Sequence, residues 1–270
     1  MSRVRTVLGR RWYLAAAAGL ALAAIAVFVL SRVASSRRDE TWTRIQREGS
    51  MRVGMDASYP PFNLVDSNGS FTGYDVDLVV ALGSRLGVRV EFADISFDGL
   101  YDALLSGRID LIASALPYDR LLTRDVAYSH SYFDAGQMLI VRQGDDHVKG
   151  IADLAGLRVA VELGSAAHQE ARRLDQREGL GFSLVLRSTP EEVIHSLIEG
   201  QADAAIYDGI AARQMVGQGN PIELIDTPLT DEPYVIAVRL DSPTLLERVN
   251  DALVGLREEG FFERVEAKWF

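Results

Sequence analysis

The hydrophobic pattern of the chain contains the same unit twice. In the first copy an amphipathic segment ends at Gly107, two residues follow, and Asp110 precedes the apolar run 111–116. In the second copy Gly200 and Asp203 stand in the same relation, about ninety residues later. Gly suits the left-handed end of a helix, and a continuous apolar run suits a parallel strand covered on both faces. The pattern indicates two similar α/β lobes, or two αβ units that share Gly-x-x-Asp by chance.

Strand and helix patterns alternate along most of the chain, which is typical of parallel sheets. Asp75 and Asp98 are placed to cap the helices that follow them, and Thr189-Pro-Glu-Glu192 has the sequence of a capping box. The predicted strands lie at 51–55, 88–92, 111–114, 137–141, 158–161, 182–186, 204–207 and 233–239, and a turn at 66–69 predicts a hairpin. The predicted helices lie at 39–50, 76–86, 100–105, 165–177, 190–199, after 208, from 243, and at 261–270.

Two strands interrupt the alternating series. The strand at 137–141 leaves the first series, and the strand at 234–239 precedes two further helices. The simplest topology sends the chain from lobe 1 to lobe 2 and back, with these two strands as the hinge. We therefore predict that lobe 1 comprises 39–139 with 235–270. Lobe 2 comprises 140–234, including the hinge crossings.

The first 38 residues differ from the rest. They carry seven Arg and no acid, around an uncharged stretch from Leu14 to Leu30. With its aromatic flank this stretch approaches the length of a membrane span, and the leading arginines favour an extracytoplasmic body. The segment 1–38 is either a cleaved signal peptide or a retained signal anchor spanning about 12–31. We favour the anchor, and expect the body in the periplasm or at the outer face of the cell membrane, anchored or secreted.

Composition excludes several kinds of chemistry. The chain has no Cys, which excludes disulfides, thiolate metal sites and Cys nucleophiles. The four His are well separated, with no two at metal-ligand spacing, so we predict no metal and no cofactor. Residues 39–270 carry 21 basic and 38 acidic residues, and so acidic a body would be repelled by nucleic acid.

A series of motifs covers nearly the whole body. They are, in chain order, Val53-Gly-Met-Asp56-Ala-Ser-Tyr59-Pro-Pro-Phe62, Gly73-Tyr-Asp-Val-Asp-Leu78, Phe97-Asp-Gly-Leu-Tyr-Asp-Ala-Leu104, Ser106-Gly-Arg-Ile-Asp110, Tyr128-Ser129, Asp153-Leu-Ala-Gly156, Gly200-Gln-Ala-Asp-Ala-Ala-Ile-Tyr-Asp208 and Glu259-Gly-Phe-Phe. On these motifs, residues 51–270 resemble the periplasmic amino-acid-binding proteins of ABC transporters, solute-binding family 3. The resemblance implies a two-lobed periplasmic-binding-protein (type II) fold with a two-strand hinge, closing on a small solute. It also implies an ABC permease as partner and no catalytic residue; we expect a monomer.

The resemblance assigns roles to four residues. Asp208, at the end of a strand, matches the family's acceptor for the ligand ammonium; the alternative is a helix N-cap. Tyr59 and Phe97 match positions where aromatic rings contact the ligand; lobe packing is the alternative. Asp56 matches a position near the pocket, or else caps its own loop.

The loop after the strand at 111–114 departs from the family. Ser114, Ala115 and Leu116 match its ligand-binding loop. Where the family next has Thr or Ser, this chain has Pro117. Where the family has the Arg that binds the ligand carboxylate in a bidentate pair, this chain has Leu122. Two arginines, Arg120 and Arg124, lie two residues to either side, an offset that turns a helical side chain by about 200°. Arg120 is retained as a candidate contact, with solvated surface charge as its alternative.

The second lobe offers an anion site and an acid. Ser165 and Ala166 open a helix whose free N–H groups can bind a carboxylate. Glu162 matches a family position that reads the ligand side chain. With Asp56 and Asp208 it would make an acidic cleft, which predicts a cationic amino acid or an amine as ligand.

Two further classes of protein stay open. Cyclohexadienyl dehydratases share this fold and resemble the chain throughout; where they carry an acid early in the helix after Gly164, this chain has His168. The other class is a membrane-tethered sensory or orphan solute-binding module. A neighbouring permease gene would favour transport.

Overall fold

The computed structural model describes residues 40–225 and 228–270. The predicted signal or anchor segment 1–38 lies outside the described residues. Within the described ranges, no helix combines the length and apolar character that crossing a bilayer requires. The helices are α1 (Glu40–Glu48), α2 (Tyr74–Leu86), α3 (Leu100–Leu105), α4 (Ala166–Glu178), α5 (Pro190–Ile198), α6 (Gly209–Gly217), α7 (Pro243–Glu258) and α8 (Phe261–Trp269). The strands are β1 (Ser50–Met55), β2 (Ser58–Tyr59), β3 (Asn63–Val65), β4 (Phe71–Thr72), β5 (Arg89–Asp94), β6 (Leu111–Ile112), β7 (Val126–Tyr128), β8 (Phe133–Asp134), β9 (Gln137–Arg142), β10 (Arg158–Glu162), β11 (Ser183–Arg187), β12 (Ala204–Asp208), β13 (Ile222–Leu224), β14 (Pro233–Tyr234) and β15 (Ala237–Arg239).

The two large sheets share one topology. The first has the strand order β5-β1-β6-β15-β7, and the second has the order β11-β10-β12-β9-β13. In each, the first three strands are parallel and the fourth is antiparallel to the third. The strands that follow Asp110 and Asp203 are the central strands β6 and β12. The prediction of two similar α/β lobes is confirmed.

The chain crosses between the sheets twice, and the crossings pair with each other. The antiparallel ladder of β8 and β14 joins Phe133 to Tyr234 and Asp134 to Pro233. Beyond it, β9 lies wholly in the second sheet and β15 in the first. The predicted hinge strands thus continue into the sheets. The lobe boundaries 39–139, 140–234 and 235–270 stay a prediction.

The second sheet is covered on both faces, as its continuous apolar strands predicted. In β10, Val159 and Val161 belong to a core with α4, whereas Ala160 between them belongs to a core with α5. In lobe 1, Phe62 is fully buried and its ring contacts those of Phe133, Tyr234 and Phe270. This aromatic cluster packs the C-terminal residue against the segment where the lobes join.

Two of the predicted caps are wrong. Gly73 precedes α2 with a φ of 136°, and Asp75 makes no capping bond. Asp98 lies in a 3₁₀ turn before α3, which begins without a side-chain cap. Asp75 instead finds partners in distant segments, and these outweigh the local cap. The Thr189 cap of α5 is confirmed, because Thr189 Oγ1 accepts from Glu192 N. The Glu192 carboxylate accepts from Ser188 N, one residue before the N–H expected in a capping box.

Candidate functional site

A cavity of about 230 Å³ opens in lobe 2 at the carboxyl ends of β10 and β12. This is where open α/β sheets bind ligands, since loops and helix starts meet at that edge. Four predicted site residues line it: Glu162, Ser165, Ala166 and Asp208. The other lining residues are Gln137, Ala167, Pro190, Ile206, Tyr207 and Ala211.

Asp208 serves as a helix cap and also faces the cavity. It ends β12 and precedes α6, and its Oδ1 accepts from Ala211 N at 2.9 Å. Within the described part of the chain, its Oδ2 accepts no hydrogen bond. The side chain is exposed. The predicted cap is therefore present, and one carboxylate oxygen stays available for a ligand.

The start of α4 presents main-chain donors to the same cavity. Ser165 caps the helix, accepting from His168 N at 3.1 Å and donating to Glu162 O at 2.8 Å. Gly164 N donates to His168 Nδ1 at 3.1 Å, so a neutral His168 carries its proton on Nε2. The N–H groups of Ala166 and Ala167 have no acceptor among the described residues. These two groups can donate to an anionic or carbonyl oxygen of a ligand.

The charge lining the cavity is negative. Glu162 is half-buried beside it, and Asp208 lies at its mouth. Among the described residues, the lining contains two acids and no Lys, Arg or His. Burial, together with the charges of Glu191, Glu162 and Asp208, raises the pKa of Tyr207 to about 12. The described lining of the cavity is therefore acidic, with no cationic side chain to compensate it.

Sequence reasoning missed two polar residues of this cavity. Gln137 is buried, and its main chain is fixed by bonds from its N–H to Thr230 Oγ1 and from Leu229 N to its carbonyl. The Tyr207 hydroxyl is buried without a hydrogen-bond partner in the described structure. A polar residue at the start of the apolar run 138–141 was the available signal for Gln137. Tyr207 lies in the apolar run 204–207, and the sequence pattern predicts only a strand there.

Lobe 1 brings another group of predicted residues together. Asp56 accepts from Phe97 N at 2.8 Å and from Ser58 Oγ at 2.5 Å, and its own N–H donates to Ser114 Oγ at 2.9 Å. Asp56 thus does cap its own loop. The exposed ring of Tyr59 stacks on Phe62, with centroids 5.7 Å apart. Among the described residues of 40–139 and 235–270, only Gln137, which begins β9 of the second sheet, lines the 230 Å³ cavity.

The predicted loop 114–116 is buried between the first sheet and the second crossing. Ser114, Ala115 and Leu116 are all buried. Leu116 packs in a core with α3, and its carbonyl accepts from Val235 N. Ala115 is the one non-glycine residue in the described ranges with a positive φ, at 44°.

The arginines near this loop stand apart from the cavity. Arg120 and Arg124 are exposed, and neither side chain forms an ion pair within the described ranges. Leu122, where the family's arginine was expected, packs against the core of α3. Pro117 forms an isolated bridge with Tyr234. The structure therefore places no guanidinium at the expected position.

The family model for bacterial extracellular solute-binding proteins, family 3, matches residues 51–270. The chain belongs to this family. Family 3 members are extracytoplasmic or periplasmic proteins that bind amino-acid ligands and work with ABC transporter permeases. The predicted resemblance is confirmed.

The relatives of this family 3 protein carry the names of binding proteins. A putative amino-acid ABC transporter-binding protein, PatH of Vibrio harveyi, is 29% identical over 84% of this chain and 90% of its own length. The L-cystine-binding protein TcyJ of Escherichia coli K12 is 25% identical over 92% of each chain. These names do not converge on one ligand.

Two solved structures extend the comparison. An ancestral cationic amino acid solute-binding protein is 33% identical, with a TM-score of 0.59, covering 85% of this chain and 99% of that one. An ancestral cyclohexadienyl dehydratase is 25% identical, with a TM-score of 0.76, covering 84% of this chain and 94% of that one. Binding proteins and an enzyme therefore share this fold, and the site residues have to separate them.

Proposed function

We propose that this family 3 protein binds a small cationic amino acid or amine between its lobes and delivers it to an ABC permease. The observation that carries the proposal is the sign of the charge in the lobe 2 cavity. Glu162 and Asp208 line it, and no cationic side chain does so within the described ranges. Acids that become desolvated on closure favour a ligand that brings the opposite charge.

Lobe 1 supports a weak requirement for a ligand carboxylate. Leu122 occupies the place of the family's arginine and packs into the core. Arg120, the other candidate, is exposed and outside the cavity lining. The N–H groups of Ala166 and Ala167 can still donate to a ligand carboxylate, but they bring no cationic side chain to it. An amine without a carboxylate should therefore bind nearly as well as its amino acid.

A relative supports the same ligand class. The ancestral protein at 33% identity is described as binding cationic amino acids. In lobe 1, the proposed contacts are the rings of Tyr59 and Phe97, the carboxylate of Asp56, and the main chain of 114–116. On the side of the second sheet they are Glu162, Asp208, Ser165 and Ala166, together with Gln137 and Tyr207.

The test compares matched ligands by thermal shift and calorimetry on the full chain. L-Arginine and agmatine, and L-lysine and cadaverine, differ only in the carboxylate; L-glutamine and L-glutamate supply neutral and acidic competitors. Ligand at a hundredfold its Kd adds about 2.7 kcal/mol of stability. We expect the cationic compounds to bind, and each pair to differ by less than about tenfold.

The matched variants are Asp208→Asn and Glu162→Gln, with Asp146→Asn as an exposed lobe 2 control. Losing a hydrogen bond to a charged group costs about 1.5–3 kcal/mol. The Asp208→Asn affinity should therefore fall by roughly 10- to 150-fold, while the control keeps wild-type affinity. Strong binding of glutamate or glutamine with no binding of amines would refute the cationic proposal. Turnover of a cyclohexadienyl acid by the wild type would replace transport with the dehydratase function.

A further inference from the structure

One carboxylate lies beneath the loop 114–116, which we call the lobe 1 wall, and is shielded from solvent. Asp75, in the first turn of α2, is completely buried. Its Oδ2 accepts from Ala115 N at 2.5 Å and from Asn63 Nδ2 at 3.0 Å. Bonds to an ionised acceptor are shorter and about twice as strong as neutral ones. The carboxylate therefore ties the cleft loop to the hairpin β2–β3–β4.

The residue that Asp75 holds has an unusual conformation. A φ of 44° places Ala115 in the left-handed region, which is unfavourable for a residue with a Cβ. The turn sets its neighbours on both sides. Ser114 Oγ accepts from Asp56 N at 2.9 Å, and Leu116 O accepts from Val235 N at 2.9 Å. The left-handed turn thus fixes where the loop meets the Asp56 segment and the second crossing.

Among the described residues, the titratable groups that interact with Asp75 are three phenols. Tyr132 precedes the first crossing, and the charge of Asp75 raises its pKa and those of Tyr74 and Tyr234. Arg213 and Arg257 act on Tyr74. Burial raises the pKa of all three phenols, so they stay neutral between pH 5 and 8. Asp75 Oδ1, Asn63 Oδ1 and the Tyr132 hydroxyl are buried and have no hydrogen-bond partner among the described residues.

We propose that Asp75 is a positioning residue of the binding site, whose ionised carboxylate holds the Ala115 turn and so orders the lobe 1 wall for ligand. The effect on binding rests on the proposed function; the effect on the turn does not. Protonation would remove the charge from the bond to Ala115 N. It would also place a new donor on Asp75, next to Asn63 Oδ1 and the Tyr132 hydroxyl.

The acidity of this group makes the proposal testable near neutral pH. Burial raises the pKa of Asp75 to about 6, although the bonds from Ala115 N and Asn63 and the nearby Tyr132 hydroxyl oppose the shift. The first measurement is the amide proton shift of Ala115 in ¹⁵N-labelled full-length protein without ligand. We expect a downfield resonance at pH 7.5 that moves upfield as the pH falls through about 6. In Asp75→Asn this titration should disappear, whereas Glu247→Gln, an exposed lobe 1 control, should keep it.

A rescue variant separates positioning from general damage. Glycine adopts a left-handed φ freely, so Ala115→Gly should lessen the need for the carboxylate. With L-arginine as the probe, Asp75→Asn should weaken binding about tenfold at pH 7.5, and adding Ala115→Gly should restore most of it. Wild-type affinity, relative to Asp75→Asn, should fall several-fold between pH 7.5 and pH 5. If Asp75→Asn does not fold, the pH dependence of the wild type and of Ala115→Gly alone supplies the same comparison, with the weaker dependence in Ala115→Gly.

The outcomes are distinct. An Ala115 amide that does not titrate, or that titrates unchanged in Asp75→Asn, overturns the proposal. So does a loss of affinity in Asp75→Asn that Ala115→Gly leaves uncorrected. If none of the cationic probes binds, the proposed function fails, and the amide titration still decides whether Asp75 holds the turn.

Discussion

The two lobes use the same atoms to hold the start of their central strands. Asp110 accepts from Arg52 N at 2.8 Å and from Arg52 Nη2 at 2.8 Å. Asp203 accepts from Arg158 N at 2.9 Å and from Arg158 Nη2 at 2.7 Å. The Gly-x-x-Asp pattern that recurs in the sequence is therefore one structural device used twice.

A second arginine extends the parallel. Arg239, on the antiparallel strand of lobe 1, donates from Nη1 to the carbonyls of Leu104 and Ile109, each at 3.0 Å. Arg142, on the matching strand of lobe 2, donates from Nη1 to the carbonyls of Leu197 and Ala202, also at 3.0 Å. In both lobes one guanidinium donates to two carbonyls: one at the end of the helix that precedes the central strand, and one in the loop between that helix and the strand.

Beyond this device the lobes diverge. Five residues after Asp110 the chain reaches Ala115, which is buried and left-handed. Five residues after Asp203 it reaches Asp208, which is exposed at the cavity. At this position lobe 1 has a buried main-chain turn, whereas lobe 2 has an exposed carboxylate. The comparison teaches that the repeat preserves the framework and leaves the strand ends free to specialise.

The largest expected effect is at the more buried copy of the device. The Asp110 side chain is 0% exposed and also pairs with Arg44 of α1. Asp110→Ala should lower the free energy of unfolding by about 3–5 kcal/mol, because Arg44 and Arg52 lose a buried partner. Denaturant unfolding at pH 7 measures this. The control Asp102→Ala, at an exposed site on α3, should change it by less than about 0.5 kcal/mol.

A cost at Asp110 no larger than that of Asp203→Ala would break the comparison. It would mean that the burial of Asp110 and its additional pair with Arg44 add nothing to the stability of the fold.

A middle effect tests the two arginines that bind carbonyls. Arg239→Met and Arg142→Met should each cost about 2 kcal/mol, since Met keeps the length of the side chain and leaves two carbonyls without their donor. The two costs should agree within about 1 kcal/mol, because each arginine also makes a further bond from Nη2, Arg239 to Thr41 Oγ1 and Arg142 to Asp145 Oδ2. Arg248→Met, on the exposed face of α7, is the control. If one variant lost clearly less unfolding free energy than the other and resembled the control, the same geometry would contribute unequally to the stability of the two lobes.

The framework could be predicted from the sequence because its signals are local. A helix end, a Gly and an Asp lie within a few residues, so their pattern repeats visibly wherever the device recurs. The same holds for the cap at Thr189 and for Asp208, where the strand ends and the helix begins. The two strands that interrupt the alternating series then predicted how the chain joins these units, and the family resemblance agreed with it.

The site was less predictable because its contacts are distant in sequence. The partners of Asp75 are 12 and 40 residues away. Its place just before a predicted helix therefore led to the wrong prediction of a helix cap. Arg120 lay near the expected place along the chain, but its side chain does not reach the cavity. Gln137 and Tyr207 line one cavity because β9 pairs with β12, and this pairing joins segments about seventy residues apart in the chain.

The smallest expected effect concerns Asp203, whose side chain is 29% exposed. The hydrogen bond from Arg158 lowers the pKa of Asp203 below its ordinary 3.8. Its ionised form therefore adds stability above the unfolded pKa, and this stability is lost as the pH falls through the lower folded value. Asp203→Asn should cost about 1 kcal/mol at pH 7, and its difference from the wild type should shrink below about pH 4.

Asp75 should show the opposite sign in the same pH series. Its folded pKa of about 6 lies above the unfolded one, so the wild type gains stability relative to Asp75→Asn as the pH falls from 7 to 5. The two carboxylates differ because one meets a guanidinium near the surface and the other meets neutral donors in the core. If both differences shifted with pH in the same direction, the environments would not be setting the acidity of these groups. The division between a repeated framework and a specialised cleft would then lose its electrostatic basis.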